Sequence, residues 1–316
     1  MLQHIPTLDD IQATAKRITP IIHRTPVLTS ASLDALSGAK IFFKCENFQK
    51  IGAFKMRGAS SVGTLLAEEV RKKGLATHSS GNHAQAVALT AKMLGVPAYI
   101  VMPTNAPQVK KNAVLGYGAT VIDCEPTIEA RKATLAQTVD KTGAYFIPPY
   151  NDYGVVAGQA TAALELLDEV EDLDIVITPV GGGGLISGTA LTCHYLKPHI
   201  EIIAGEPKNA DDAFRSFHSG KIEPVAKATT IADGLRTSLG EKTFGIIKEY
   251  VKDIVTVSEE EIVTAMRHIW ERMKIVIEPS CAVPLAVVLQ QPERFQNKRI
   301  GIILTGGNVD LSSLPF

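Results

Sequence analysis

Short apolar runs alternate with helical patterns along almost the whole chain, and this alternation constrains the fold more than any other feature. The runs fall at 41–44, 75–77, 98–102, 120–123, 175–179, 200–204, 254–257 and 300–304. Helical patterns lie between them at 82–94, 108–115, 154–170, 185–196 and 259–273. Strands separated by helices pair in parallel, with helices covering both faces of the sheet. Ser258, followed three residues later by Glu261, reads as a capping box that starts the last of these helices. Pro148-Pro149 breaks the pattern near the middle, and 316 residues suffice for two domains. We therefore expect a small, mobile domain of residues 54–145. The larger domain, which would bind the ligand, combines residues 1–53 and 146–316.

Lys plus Arg total 32 and Asp plus Glu 33, a net charge of -1. Without a basic stretch, a nucleic-acid partner is not expected. No apolar run reaches the roughly 18 residues of a membrane-spanning helix. The N-terminal MLQHIPTLDDIQ has no basic segment ahead of an apolar one, so no signal peptide is expected. Cys45, Cys124, Cys193 and Cys281 are widely spaced with no CxxC pair, which fits a reduced compartment. The expectation is a soluble cytoplasmic protein with neither a nucleic-acid nor a membrane partner.

Several segments carry chemistry. In Gly52-Ala53-Phe54-Lys55-Met56-Arg57-Gly58, glycines bracket a lysine in a largely apolar setting. Such a lysine loses its charge easily and forms Schiff bases, although a surface lysine at a helix start would look the same. Ser79-Ser80-Gly81-Asn82-His83 follows the run at 75–77 and opens a helix. Its hydroxyls and free N–H groups at a positive helix end suit a carboxylate; plain N-capping uses the same residues. Gly181-Gly182-Gly183-Gly184 joins a strand to a helix, where backbone can close on a phosphate. The dinucleotide pattern GxGxxG fails here, since positions 181, 183 and 186 read Gly, Gly, Ile. That leaves a monophosphate cradle or a plain glycine turn. Thr305 follows the run at 300–304, and a hydroxyl at the carboxyl end of a parallel strand faces the ligand crevice. Glu206 and Asp212, with a backbone carbonyl between them, offer hard oxygen ligands to a divalent cation, or else cap a helix. Together, a Schiff-base lysine, a carboxylate loop, a phosphate loop and a crevice hydroxyl are what a pyridoxal phosphate site needs.

These segments, with FFKCENFQK, SSGNHAQA, PVGGGGL, EPKNADD, TIADG, IEPS and GGNVD, resemble the fold-type II pyridoxal phosphate enzymes. The nearest branch is that of the serine racemases and serine/threonine dehydratases. The likeness runs from about Thr25 to Asp310. It implies an α/β fold of the tryptophan synthase β kind, with two open, twisted, mostly parallel sheets flanked by helices. It implies pyridoxal 5'-phosphate held by Lys55, Phe54, Asn82, Gly181, Gly182, Gly183, Gly184, Gly234, Glu278 and Thr305. Lys55 would form the Schiff base, Asn82 would meet the ring hydroxyl and Thr305 the ring nitrogen. Thr replaces the usual Ser at 305, and Ala53 the usual Ser before Phe-Lys. Lys55 and Ser80 would be the catalytic pair, with Ser80 acting from the opposite face.

Substrate contacts implied by the same resemblance are Ser79, Ser80, Asn82, His83, Arg131 and Ser238. Arg131 and His83 could read a second carboxylate through charge-assisted bonds, which favours 3-hydroxyaspartate; alternatively Arg131 is a solvated helix residue. Glu206, Asp212 and the Ala210 carbonyl match a site for Mg²⁺, or for Ca²⁺ or Mn²⁺. The implied activity converts L-serine to D-serine and to pyruvate plus ammonia. The alternatives are an L-threo-3-hydroxyaspartate ammonia-lyase and a catabolic threonine dehydratase. A homodimer and a nucleotide effector belong to the same implication. The rivals are a nicotinamide oxidoreductase, read from the glycine loop alone, and a non-enzymatic phosphate-ligand sensor.

Overall fold

Every residue of Ile175–Pro179 is buried, the pattern of a strand covered by helices on both faces. The computed structural model describes residues 2–106, 108–225 and 228–316. Its strands are β1 (Val27–Leu28), β2 (Lys40–Cys45), β3 (Leu75–His78), β4 (Ala98–Pro103), β5 (Thr120–Cys124), β6 (Tyr145–Phe146), β7 (Ile175–Pro179), β8 (Glu201–Pro207), β9 (Asp253–Val257) and β10 (Arg299–Leu304). They form a six-stranded sheet, ordered β1-β2-β10-β7-β8-β9, and a four-stranded sheet, ordered β5-β4-β3-β6. β1 pairs with β2 antiparallel, and the remaining neighbours are parallel. This is the expected α/β class.

The strands expected from apolar runs all form, and the helices Asn82–Leu94 and Glu259–Met273 start and stop where the periodicity places them. Ser258 and Glu261 make the capping box. Two differences have a physical origin. The run expected at 200–204 extends as β8 to Pro207, which puts Glu206 inside a buried strand end rather than in a loop. The helix Pro279–Gln290 gives no periodic signal because it is apolar and buried on nearly every side. Among the described residues, no helix is long and apolar enough to cross a membrane, and all four cysteines are free and buried.

The helix Tyr153–Glu169 packs against both Lys55–Leu65 and Gly184–Leu196. Gly158 permits the first crossing, since a Cβ there would lie 2.6 Å from the Arg57 carbonyl oxygen. At this crossing the fold buries charge. Arg57, Glu46 and Lys44 are all fully buried. The Arg57 guanidinium makes paired bonds to Glu46, both at 2.7 Å, and to Glu165, both at 2.8 Å. Lys44 Nζ lies 2.7 Å from Glu165. Burial acts against the Arg57 charge, but the two carboxylates outweigh it and raise its pKa further. The network ties β2, the helix carrying Lys55 and the helix Tyr153–Glu169 into one unit.

Arg57→Ala strands the Glu46 carboxylate without its guanidinium. We expect it to lower stability by about 3–5 kcal/mol, read from the urea midpoint. A loss below about 1 kcal/mol would show that the carboxylates do not depend on this partner.

Candidate active site

Four loops of the sequence analysis follow the carboxyl ends of parallel strands, where open α/β sheets bind ligands. Residues 46–54 follow β2, 79–81 follow β3, 180–183 follow β7 and 305–308 follow β10. Backbone hydrogen bonds stitch two of them together. Phe54 N donates to the Thr305 carbonyl at 3.0 Å and Gly307 N to the Gly52 carbonyl at 2.9 Å. Ala53 and Gly306 form an isolated antiparallel bridge between them.

Lys55 is the first residue of the helix Lys55–Leu65. Its Nζ donates to the Pro149 carbonyl at 2.7 Å and lies 5.1 Å from the Phe54 ring centre. The Phe54 ring packs on Ala162, Leu185 and Ile303. Burial lowers the Lys55 amine to about 8, against the opposing charge of Glu278. Asn82 opens the helix Asn82–Leu94. Its Nδ2 donates to both Glu278 oxygens, at 3.0 and 3.2 Å. Burial, with Asp233 nearby, raises Glu278 to about 7, while the Asn82 bond pulls the other way. Gly234 reaches the same corner, its N–H donating to Ser280 Oγ at 3.1 Å.

Ser79 Oγ accepts from Gly81 N at 3.3 Å, and Ser80 follows it, half-buried. His83 differs from expectation. It is only 3% exposed, and its Nε2 bonds the Ile147 carbonyl at 2.9 Å. Burial, then the Lys55 charge, push its pKa down to about 3. The ring is neutral, with Nε2–H the donor and Nδ1 without a partner. It therefore offers no charge to a second carboxylate. Arg131 lies in the helix Ile128–Thr142 behind β3. It is near enough to lower the pKa of His78, at the end of β3, and its Nε is buried without a partner. Ser238 Oγ is engaged elsewhere, accepting from Val225 N at 2.9 Å.

Gly181–Gly184 leads into the helix Gly184–Leu196, whose first N–H groups have no intrahelical acceptor. A Cβ on Gly182 would overlap the Tyr150 ring at 2.2 Å, so only glycine leaves the backbone bare there. The buried Thr305 hydroxyl makes no hydrogen bond of good geometry, with the Cys281 thiol beside it. Bare N–H groups at a helix start suit a phosphate, and an unpaired buried hydroxyl suits a ring nitrogen; the residues fit pyridoxal phosphate.

Of the residues expected to hold a cation, Glu206 and Asp212 lie near enough for the Asp212 charge to raise the Glu206 pKa. Glu206 accepts from Ala213 N at 2.9 Å and Phe214 N at 2.7 Å. Asp212 is fully buried, and no hydrogen bond of good geometry reaches its carboxylate oxygens, although the backbone N–H groups of Asp212 and Leu239 are near enough to lower its pKa. Ala210 lies between them in the turn Lys208–Ala210. Burial raises Glu206 to about 9 and Asp212 to about 6. Among the described residues no group of three or more His, Cys, Asp or Glu is placed to hold a metal. A cation at this place would therefore need the Ala210 carbonyl and water as well.

The family model described as pyridoxal-phosphate dependent enzyme matches residues 18–306. The chain belongs to this family. Its cofactor is thus pyridoxal phosphate, and it is an enzyme of the racemase and ammonia-lyase kind. Among its relatives in the family, a β-hydroxyaspartate dehydratase of Paracoccus denitrificans is 50% identical, over 99% of this chain and 99% of that protein. A serine racemase of Dictyostelium discoideum is 50% identical, over 98% of this chain and 96% of that protein. A crystal structure of the Dictyostelium racemase covers 96% of this chain and 99% of its own, with a TM-score of 0.93. An L-threo-3-hydroxyaspartate ammonia-lyase of Saccharomyces cerevisiae is 48% identical, over 97% of this chain and 95% of that protein.

Sequence reasoning assigned no role to Arg57 or Asn308. Both stand in quoted motifs, but only their distant partners reveal what they do.

The lowered amine has a consequence for the cofactor-free protein. Between about 8 and the ordinary 10.5, the unfolded chain keeps a proton on Lys55 that the folded chain has lost. Stability from this group therefore rises with pH across that window. Urea midpoints of cofactor-free wild type and Lys55→Met, compared at the two ends of the window, should show this slope in wild type alone. Parallel slopes would mean that the amine titrates at its ordinary value.

Proposed function

We propose that this chain is a serine racemase and dehydratase, acting on L-serine through Lys55 and Ser80. The carrying observation is the Lys55 amine, lowered to about 8 by burial and set in a crevice whose glycine loop and Thr305 hydroxyl suit the cofactor. The full-length likeness to serine racemases supports it. Gly181–Gly184 would hold the phosphate, Asn82 the ring hydroxyl and Thr305 the ring nitrogen, with Phe54, Gly234 and Glu278 lining the ring. The bound cofactor supplies an electron-withdrawing ring that makes the substrate Cα–H acidic.

The residues then divide the work. The N–H groups and hydroxyls of Ser79, Ser80 and Asn82 orient the substrate carboxylate at a helix start. Lys55, its amine free once substrate is bound, would take the Cα proton on one face. Thr305 presents a hydroxyl rather than a carboxylate, so nothing there holds a proton on the ring nitrogen. A proton returned by Ser80 on the opposite face gives the D-amino acid. Loss of the Cα proton and the β-hydroxyl as water, followed by hydrolysis of the released enamine, would instead give a 2-oxo acid and ammonia. Of the small domain expected over residues 54–145, the part beyond the helix Lys55–Leu65 would move when substrate binds, because the Arg57 network holds that helix to β2 and the helix Tyr153–Glu169. Glu206, Asp212 and the Ala210 carbonyl would hold Mg²⁺, which brings the buried oxygens of Asp212 a counter-charge.

One observation favours a second reading. The buried, partnerless Nε of Arg131 stands behind the strand that leads to Ser79 and Ser80. A guanidinium so placed suits a second substrate carboxylate, and two of the relatives are named for hydroxyaspartate. Ammonia release from equal concentrations of L-serine and L-threo-3-hydroxyaspartate separates the two. Faster turnover of serine supports the first reading. Faster turnover of hydroxyaspartate, lost in Arg131→Met, establishes the second.

Ser80→Ala should abolish D-serine formation while pyruvate release continues, and Lys55→Ala should lose both by at least about a thousandfold. Unchanged D-serine production in Ser80→Ala would remove its assigned role. For the cation, Mg²⁺ at about 100 times its Kd should stabilise the protein by about 2.7 kcal/mol. Asp212→Asn should not respond. Equal responses in both proteins would place the cation elsewhere.

A further inference from the structure

Asn308 Nδ2 donates two hydrogen bonds, to the Ile51 carbonyl at 2.7 Å and to Asn82 Oδ1 at 2.8 Å. A backbone carbonyl can only accept, so Asn308 must face Ile51 with its amide nitrogen. Its second hydrogen then requires an oxygen on Asn82. That in turn directs Asn82 Nδ2 to the Glu278 carboxylate. Flipping either amide would set oxygen against oxygen. The direction of the whole chain of bonds thus starts from one main-chain carbonyl.

That carbonyl belongs to an unusual residue. Ile51 has φ 62°, a left-handed conformation that a β-branched side chain rarely adopts. It lies four residues before Lys55, in the loop stitched to residues 305–307. Asn82, in contrast, opens the helix that follows a strand of the four-stranded sheet. Asn308 therefore touches both the lysine loop and the opposite side of the crevice.

We infer that Asn308 is a positioning residue for the cofactor: it fixes the Asn82 amide so that its remaining hydrogen is presented to the ring hydroxyl. This rests on the proposed role of Asn82. With the two Glu278 oxygens sharing one Asn82 amide hydrogen, at 3.0 and 3.2 Å, the other is left for the ligand. The Asn308 amide has no hydrogen to spare for the cofactor, so it acts on the cofactor through Asn82.

The test uses the loaded enzyme and two readouts besides turnover, the Kd for pyridoxal phosphate and the position of its visible absorption band. Asn308→Asp sets an oxygen against the Ile51 carbonyl and Asn82 Oδ1. It should weaken cofactor binding about tenfold and move the band in the same direction as Asn82→Ala does. The double variant should be no worse than Asn82→Ala alone. Asn308→Ala removes the bonds without the oxygen–oxygen contact and should follow the same pattern if the Asp variant does not fold. Independent, multiplying effects of the two sites, or an unchanged band and Kd in both Asn308 variants, would overturn the inference and leave the role of Asn82 standing. An unchanged band and Kd in Asn82→Ala would overturn both.

Discussion

The buried guanidinium of Arg57 is the interaction on which the rest of the structure depends. Two carboxylates from distant parts of the chain, Glu46 and Glu165, meet it through paired bonds. Each charge is costly to bury by itself and tolerable only with the others in place. The helix that starts with Lys55 thereby gains a fixed seat against β2 and the helix Tyr153–Glu169. A lysine on a freely rocking helix could not hold its amine against the Pro149 carbonyl or keep the Phe54 ring packed on Leu185 and Ile303. Charge burial at the crossing thus secures geometry at the crevice.

Burial also sets the protonation states in the crevice, each in the direction its chemistry requires. The Lys55 amine is brought toward neutrality, where it can act as nucleophile and base. His83 is held neutral, which removes it as a competing cation. Glu278 is raised to about 7, yet Asn82 donates to it and limits the rise. The same physics acts at Glu206 and Asp212, where desolvation raises both carboxylates, against backbone N–H groups at each and the Arg215 charge near Asp212.

Much of this was legible in the sequence because it is local. Apolar runs placed the strands, and the glycine loop, the Ser-Gly-Asn turn and Thr305 each announce themselves within a few residues. What could not be read depends on partners far along the chain. Arg57 and Glu165 are 108 residues apart, and Asn82 and Glu278 are 196 apart. No local pattern joins such pairs. The burial of His83 is hidden for a related reason: a histidine beside an asparagine looks available until its packing is known. The helix Pro279–Gln290 escaped because an element buried all round has no polar face to mark its period.

The hydrogen bond from Lys55 to the Pro149 carbonyl bears on how the protein passes between its loaded and unloaded forms. A buried amine with no acceptor would be a standing cost in the unloaded form, relieved by local opening. Here the amine rests on main chain. Loading then becomes an exchange of partners at one nitrogen rather than the repair of a defect.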